Sequence, residues 1–239
     1  MTKLYLHAAT STDTGSFPIN RHGGTAPTLQ GGFSPWQDGQ PGADSASLQR
    51  SMDTNKGSSQ TSIAITTIAT TASETYYFAK WLSPPLYQSS IAANTWTLNY
   101  AIAESSLSAN FIGVSSCYIY VWRPSNATNV GVIASNLTGS GEAEPTSINT
   151  EMFENETISG SAVSGVQWGD VIIFELWSRV TQASATAFTD TFYFDGSTEN
   201  TGTSGTTTVS DQASYISTPE NLSFMPIVLP NFSYQWVEC

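Results

Sequence analysis

Charge is scarce in this 239-residue sequence: 11% of residues are charged, against roughly 25% in ordinary globular domains. Bases are scarcest, seven against 19 acids, for a net charge of −12. Nucleic-acid binding rests on Lys and Arg neutralising phosphates, so this balance argues against it. Two cysteines, Cys117 and Cys239, cannot build a disulfide framework or a four-ligand zinc site. The two histidines, His7 and His22, sit in neither a HExxH nor a HxH setting, and no phosphate-binding glycine loop is present. Zinc hydrolysis and nucleotide binding therefore lack support, and no cofactor or metal is expected. No apolar run approaches the ~18 residues of a membrane span. The opening Met1–His7 is also short of the ~7–15 apolar residues of a signal-peptide core. The chain reads as made in a cytoplasm and not held in a membrane. Its Asn-x-Ser/Thr sequons then read as accidents of Ser and Thr richness.

Serine and threonine fill the gap, at 34 and 31 residues. Hydrophobic residues at 39% and aromatics at 12% supply a core, which argues against disorder throughout. The charge is uneven. Residues 1–80 hold five bases and five acids, whereas residues 81–239 hold only Arg123 and Arg179 against fourteen acids. Texture divides the chain as well. Residues 11–59 carry eight glycines and four prolines but only seven large apolar side chains. Pairs such as Gly23-Gly24 and Gly31-Gly32 work against regular structure. Burial of so few side chains cannot order so long a stretch. Residues 1–59 are therefore expected to be an extended N-terminal arm that orders against a partner, with Phe17, Phe33 and Trp36 as docking anchors.

From residue 60 to residue 239 a β-sandwich body is expected. Trp96, Leu98, Tyr100 and Ile102 alternate with polar or small residues, a period of two. Phe188, Phe192 and Phe194 do the same, and so do Phe232, Tyr234 and Trp236. The stretches 75–82, 117–122 and 171–177 are apolar on both parities, as central strands covered on both faces are. The Ala-rich stretch 91–103 alternates Thr and Trp, which favours a strand over a helix. Roughly eight to ten short strands with polar turns predict an all-β, jelly-roll-like, two-sheet antiparallel β-sandwich.

Few residues in this pattern can carry chemistry. A Ser-His-acid triad would need His7 or His22 as its base, and His22 lies beside two glycines in the arm. If 171–178 and 187–194 formed a symmetric hairpin, Glu175 would face Asp190. Their Cβ atoms would lie ~4.5–5.5 Å apart, compatible with the ~5–5.5 Å carboxyl separation of retaining glycosidases. A register slip of one residue removes that pair. Asp190, Asp195 and Glu199, or Glu151, Glu154 and Glu156, could supply calcium ligands but match no EF-hand loop. Trp81, Tyr87 and Trp96 could contact carbohydrate, with Trp36 and Trp122 as further aromatics. Aromatics on alternating strands are more often core.

The succession Tyr76-Tyr77-Phe78-Ala79-Lys80-Trp81-Leu82-Ser83-Pro84-Pro85-Leu86, then Trp96-Thr97-Leu98-Asn99-Tyr100, resembles virion structural proteins of tailed bacteriophages. So do Tyr120-Val121-Trp122-Arg123-Pro124, Gly169–Trp177, Thr191–Gly196 and Ser217–Phe224. The resemblance spans residues 75–224 and not the arm. It implies a particle component with a β-sandwich body and no catalytic residues: a capsid decoration or cement protein, or a neck or tail-adaptor protein. The partners it implies are other virion proteins, with a homo-oligomer or many copies per particle. The localisation it implies is the virion, assembled in the host cytoplasm. The alternative is a carbohydrate-binding, host-receptor-binding module of a phage tail or neck.

Overall fold

A computed structural model describes residues 1–10, 49–66, 74–106, 110–135, 149–182, 186–199, 206–207 and 211–225. Among these, regular structure is all strand apart from one 3-10 turn, Pro124–Asn126. The first strands are β1 (Thr2–Thr10), β2 (Gln49–Asp53), β3 (Thr61–Thr66), β4 (Glu74–Leu82), β5 (Ser90–Ile91) and β6 (Thr95–Glu104). There follow β7 (Asn110–Arg123), β8 (Thr128–Ser135), β9 (Met152–Ser159), β10 (Val163–Ser164) and β11 (Val171–Gln182). The chain continues through β12 (Thr189–Phe194), β13 (Thr198–Glu199), β14 (Thr206–Thr207), β15 (Gln212–Ala213) and β16 (Tyr215–Thr218). The expected all-β sandwich is what forms.

Twelve strands share one hydrogen-bonded network that folds over on itself, beside two small two-stranded sheets. In one half β11 lies between β4 and β7, and β8 follows β7. In the other, β6 pairs along one edge with β9. Along its other edge it pairs first with β16 (Leu98 opposite Ile216) and then with β12 (Ile102 opposite Phe192). The halves join through β1 and β2. Period-two alternation sends Trp96, Leu98, Tyr100 and Ile102 into one core with Phe192 and Phe194. From the opposite half come Trp81, Ile119, Val121, Ile172 and Phe174. Trp81 is the hub, with ring centroids 5.7 Å from Phe174, 5.9 Å from Phe192 and 5.5 Å from Phe194. The strands apolar on both parities use their second face as well: Leu82, Tyr118, Tyr120, Trp122, Val171 and Ile173 form a separate buried cluster.

Two features depart from expectation. The sheet is mixed, because β2 runs parallel to β4. A parallel pair needs a crossover, and the chain from β2 to β4 makes one through β3, which pairs with β12. Second, the stretch expected as an arm, 1–59, contributes strands to the body. In β1, Leu4 and Leu6 enter the main core while Tyr5 packs against Ala213 and Tyr215 on the other face. Short alternation within Lys3–His7 suffices for a strand once β16 and β2 pair with it. Thr10 stands opposite Arg50, so residues 11–48 connect two paired strands. Phe17, Phe33 and Trp36 lie outside the described residues, as do His22, Cys239 and the alternating 232–237.

Candidate functional site

The hairpin that would have paired Glu175 with Asp190 does not form. Strand β11 pairs with β4 and β7, and β12 pairs with β3 and β6, so the two acids sit in different halves. Local sequence proximity favours a hairpin, but both strands pair instead with strands more distant in the chain. Glu175 stands opposite Lys80 on β4 and Tyr118 on β7, and the Tyr120 hydroxyl donates to its Oε1 at 2.7 Å. Asp190 stands opposite Glu104 on β6. Its two oxygens are buried with no hydrogen-bond partner. Burial first, and the Glu104 charge second, push the Asp190 carboxyl well above the ordinary aspartate range. Two like charges so placed cannot both ionise cheaply. The glycosidase geometry is therefore absent.

The proposed calcium sets are also dispersed. Asp195 engages His7, Glu199 pairs with Lys3, and Glu151 accepts from the Gln60 amide at 2.7 Å. Among the described residues, no three His, Cys, Asp or Glu side chains are grouped to hold a metal ion. His7 is bracketed: Nδ1 lies 2.9 Å from Asp195 Oδ1 and Nε2 lies 3.3 Å from Asp53 Oδ1. Both ring nitrogens therefore face carboxylates and neither faces a hydroxyl, so no Ser-His-acid relay is built on this residue. The cluster ties β1, β2 and the chain after β12 together. Lys3 and Glu199 do similar work nearby, where burial and then the Glu199 charge push the Tyr5 phenol up to about 12.

The aromatic candidates separate cleanly. Trp81 and Trp96 are fully buried and reach no ligand; alternation places them on the core face of β4 and β6. Trp122 is buried in the second cluster. Tyr87 is different, with 60% of its surface exposed, and Trp168 beside it is 69% exposed. Their ring centroids are 5.6 Å apart and the planes stand at 86°. Trp168 escaped the sequence reading because it belongs to no alternating strand. The available signal was an aromatic in a turn cluster, Gln167-Trp168-Gly169-Asp170, matching Tyr87 just after Pro84-Pro85.

Two loops at one end of the sandwich hold this pair. Leu86 N donates to Asp170 O at 2.7 Å, and Gly169 N donates to Leu86 O at 3.2 Å, so the loops pair back to back. Gly169 takes φ +92°, a left-handed conformation that glycine adopts without steric cost. Beneath the turn, Arg123 binds the buried Asp170 carboxylate with two bonds, Nε to Oδ1 at 2.9 Å and Nη2 to Oδ2 at 2.8 Å. Arg123 Nη2 also donates to Gly165 O at 2.7 Å, and Gln167 N donates to Asp170 Oδ2 at 2.7 Å. The Asp170 bonds hold the guanidinium above its ordinary pKa. Tyr87 N donates to Ser223 O, Met225 N donates to Pro85 O, and the Trp168 indole N–H points at the Met225 sulfur.

No family model matches the chain, and no curated protein matches it. Among solved structures, it is similar to a chain of infectious bursal disease virus, Gt strain, at 12% identity with a TM-score of 0.18. That match covers 89% of this chain and 49% of the other. A second, the VP2 subviral particle of infectious bursal disease virus, is 10% identical with a TM-score of 0.14, covering 66% and 40%. The chain thus spans half or less of the length of either. At such TM-scores neither likeness bears on fold or role.

Proposed function

We propose that this chain is a non-enzymatic structural component of a tailed-phage virion, a head-surface decoration or cement protein present in many copies. The observation that carries the reading is the connection between β1 and β2. Its flanking residues Thr10 and Arg50 are register partners, yet 38 residues (11–48) separate the two strands. A hairpin connection usually takes ~2–5 residues, so this segment is far longer than the pairing of β1 with β2 requires. It carries Phe17, Phe33 and Trp36, the anchors proposed to dock on neighbouring subunits. Being tied at both ends to the sheet, it would hold a neighbour more firmly than an arm tied at one end. The acidic, Ser/Thr-rich remainder suits an outward face, since its charge repels DNA and its own copies.

The test is to replace residues 12–47 with a short Gly-Ser linker, and separately to change Phe17, Phe33 and Trp36 together to Ala. Both variants should retain a cooperative unfolding transition and fail to join particles assembled without wild-type protein. Normal copy number of the triple variant in purified particles would refute the docking role. Removing residues 1–59 outright is a poorer test, because it deletes β1 and β2.

A further inference from the structure

We infer that Tyr87 and Trp168 form a binding platform for a neutral hexopyranose ring of a glycan, a role independent of the virion reading above. Two exposed aromatic rings at right angles make an L-shaped corner. The apolar C–H face of a pyranose can lie on one ring while its edge meets the other. Gln167 and Ser89 lie one and two residues from the rings in the chain, and Ser223 is joined to Tyr87 by a backbone bond; all three are exposed polar residues suited to sugar hydroxyls. The nearest opposite charges under the turn offset each other. Arg123 is committed to Asp170, and Glu220, which accepts from Ala92 N, keeps its negative charge. With a net charge of −12 on the chain, phosphates and acidic sugars are disfavoured.

Size argues against a protein occupant. Two aromatic side chains bury ~150–250 Å² each, well short of the ~800 Å² per partner in a stable protein interface. Rigidity argues for a ligand. The backbone bonds between the 86–87 and 167–170 loops and the Arg123–Asp170 fork hold the main chain under both rings before anything binds, which lowers the ordering cost of binding. Sandwich-end loops on a rigid scaffold are also where binding residues concentrate.

The full chain should be titrated with methyl glycosides of glucose, galactose and N-acetylglucosamine. Indole fluorescence and saturation-transfer NMR provide the readouts, and methyl glucuronide serves as the acidic control. At least one neutral glycoside should bind, with saturation transfer confined to ring protons. Trp168→Ala should weaken binding about tenfold or more, and Tyr87→Ala by a smaller factor. Trp168→Phe, which keeps an aromatic face, should retain most of it. No binding by any neutral glycoside overturns the inference, as does binding unchanged in Trp168→Ala. If Trp168→Ala instead lowers copy number in particles without altering glycoside binding, the pair is a subunit contact and the inference falls. Because both side chains are exposed, neither alanine variant should disturb folding.

Discussion

Glu175 and Asp190 are both fully buried and both lie on long-range strand pairs, but their settings are opposite. Glu175 meets Lys80 across β4 and takes a hydrogen bond from Tyr120. Asp190 meets another acid, Glu104. The first site has an opposite charge at the facing register position and a phenol donating a hydrogen bond, both of which counter desolvation. The second can do so only by holding a proton. One amino-acid class is thus buried in two ways within one sandwich, and the cross-strand partner decides which.

The comparison breaks hardest at Lys80. Lys80→Met leaves Glu175 buried without its opposing charge, and should lower stability by ~3–5 kcal/mol in urea denaturation. The double variant Lys80→Met, Glu175→Leu should recover most of that loss. An unchanged single variant would show that the two charges are not coupled. Asp190→Asn moves the other way: at pH 7 it removes a strained acid pair and should raise stability by ~0.5–2 kcal/mol.

The pH dependence sharpens the same contrast. A carboxyl whose pKa is raised on folding keeps its proton where the unfolded chain has lost it. The folded state then binds more protons, so stability falls as pH rises. For Asp190 the decline begins near the ordinary value of 3.8 and ends at the raised folded value. Urea midpoints measured from pH 4 to pH 8 should therefore fall more steeply in the wild type than in Asp190→Asn. Parallel curves would remove Asp190 as the source. The smallest expected effect is at the surface. Trp168→Ala should change stability by less than ~0.5 kcal/mol, whereas a change of several kcal/mol would make Trp168 a packing residue.

Much of the body was readable in advance. The alternation through β6 and β12 put Trp96, Tyr100, Phe192 and Phe194 on inward faces, and the double-sided strands β4, β7 and β11 are central. What misled was locality. Glu175 and Asp190 looked like hairpin partners because few residues separate their strands. Residues 1–10 looked like part of an arm because the Gly-rich stretch after them coloured the whole segment. Trp81 looked like a possible sugar contact on composition, yet it is the core hub.

By itself, the sequence determined the strand class, the side-chain faces and the acidic, base-poor composition, because these follow from local period and residue counts. Only the tertiary structure decided strand partners. Pairing joins residues far apart, and a one-residue change of register turns every side chain to the other face. It also decided that Lys80 lies opposite Glu175 and Glu104 opposite Asp190. The meeting of Tyr87 and Trp168 has the same origin, since two turns distant in sequence come together only when the sandwich closes.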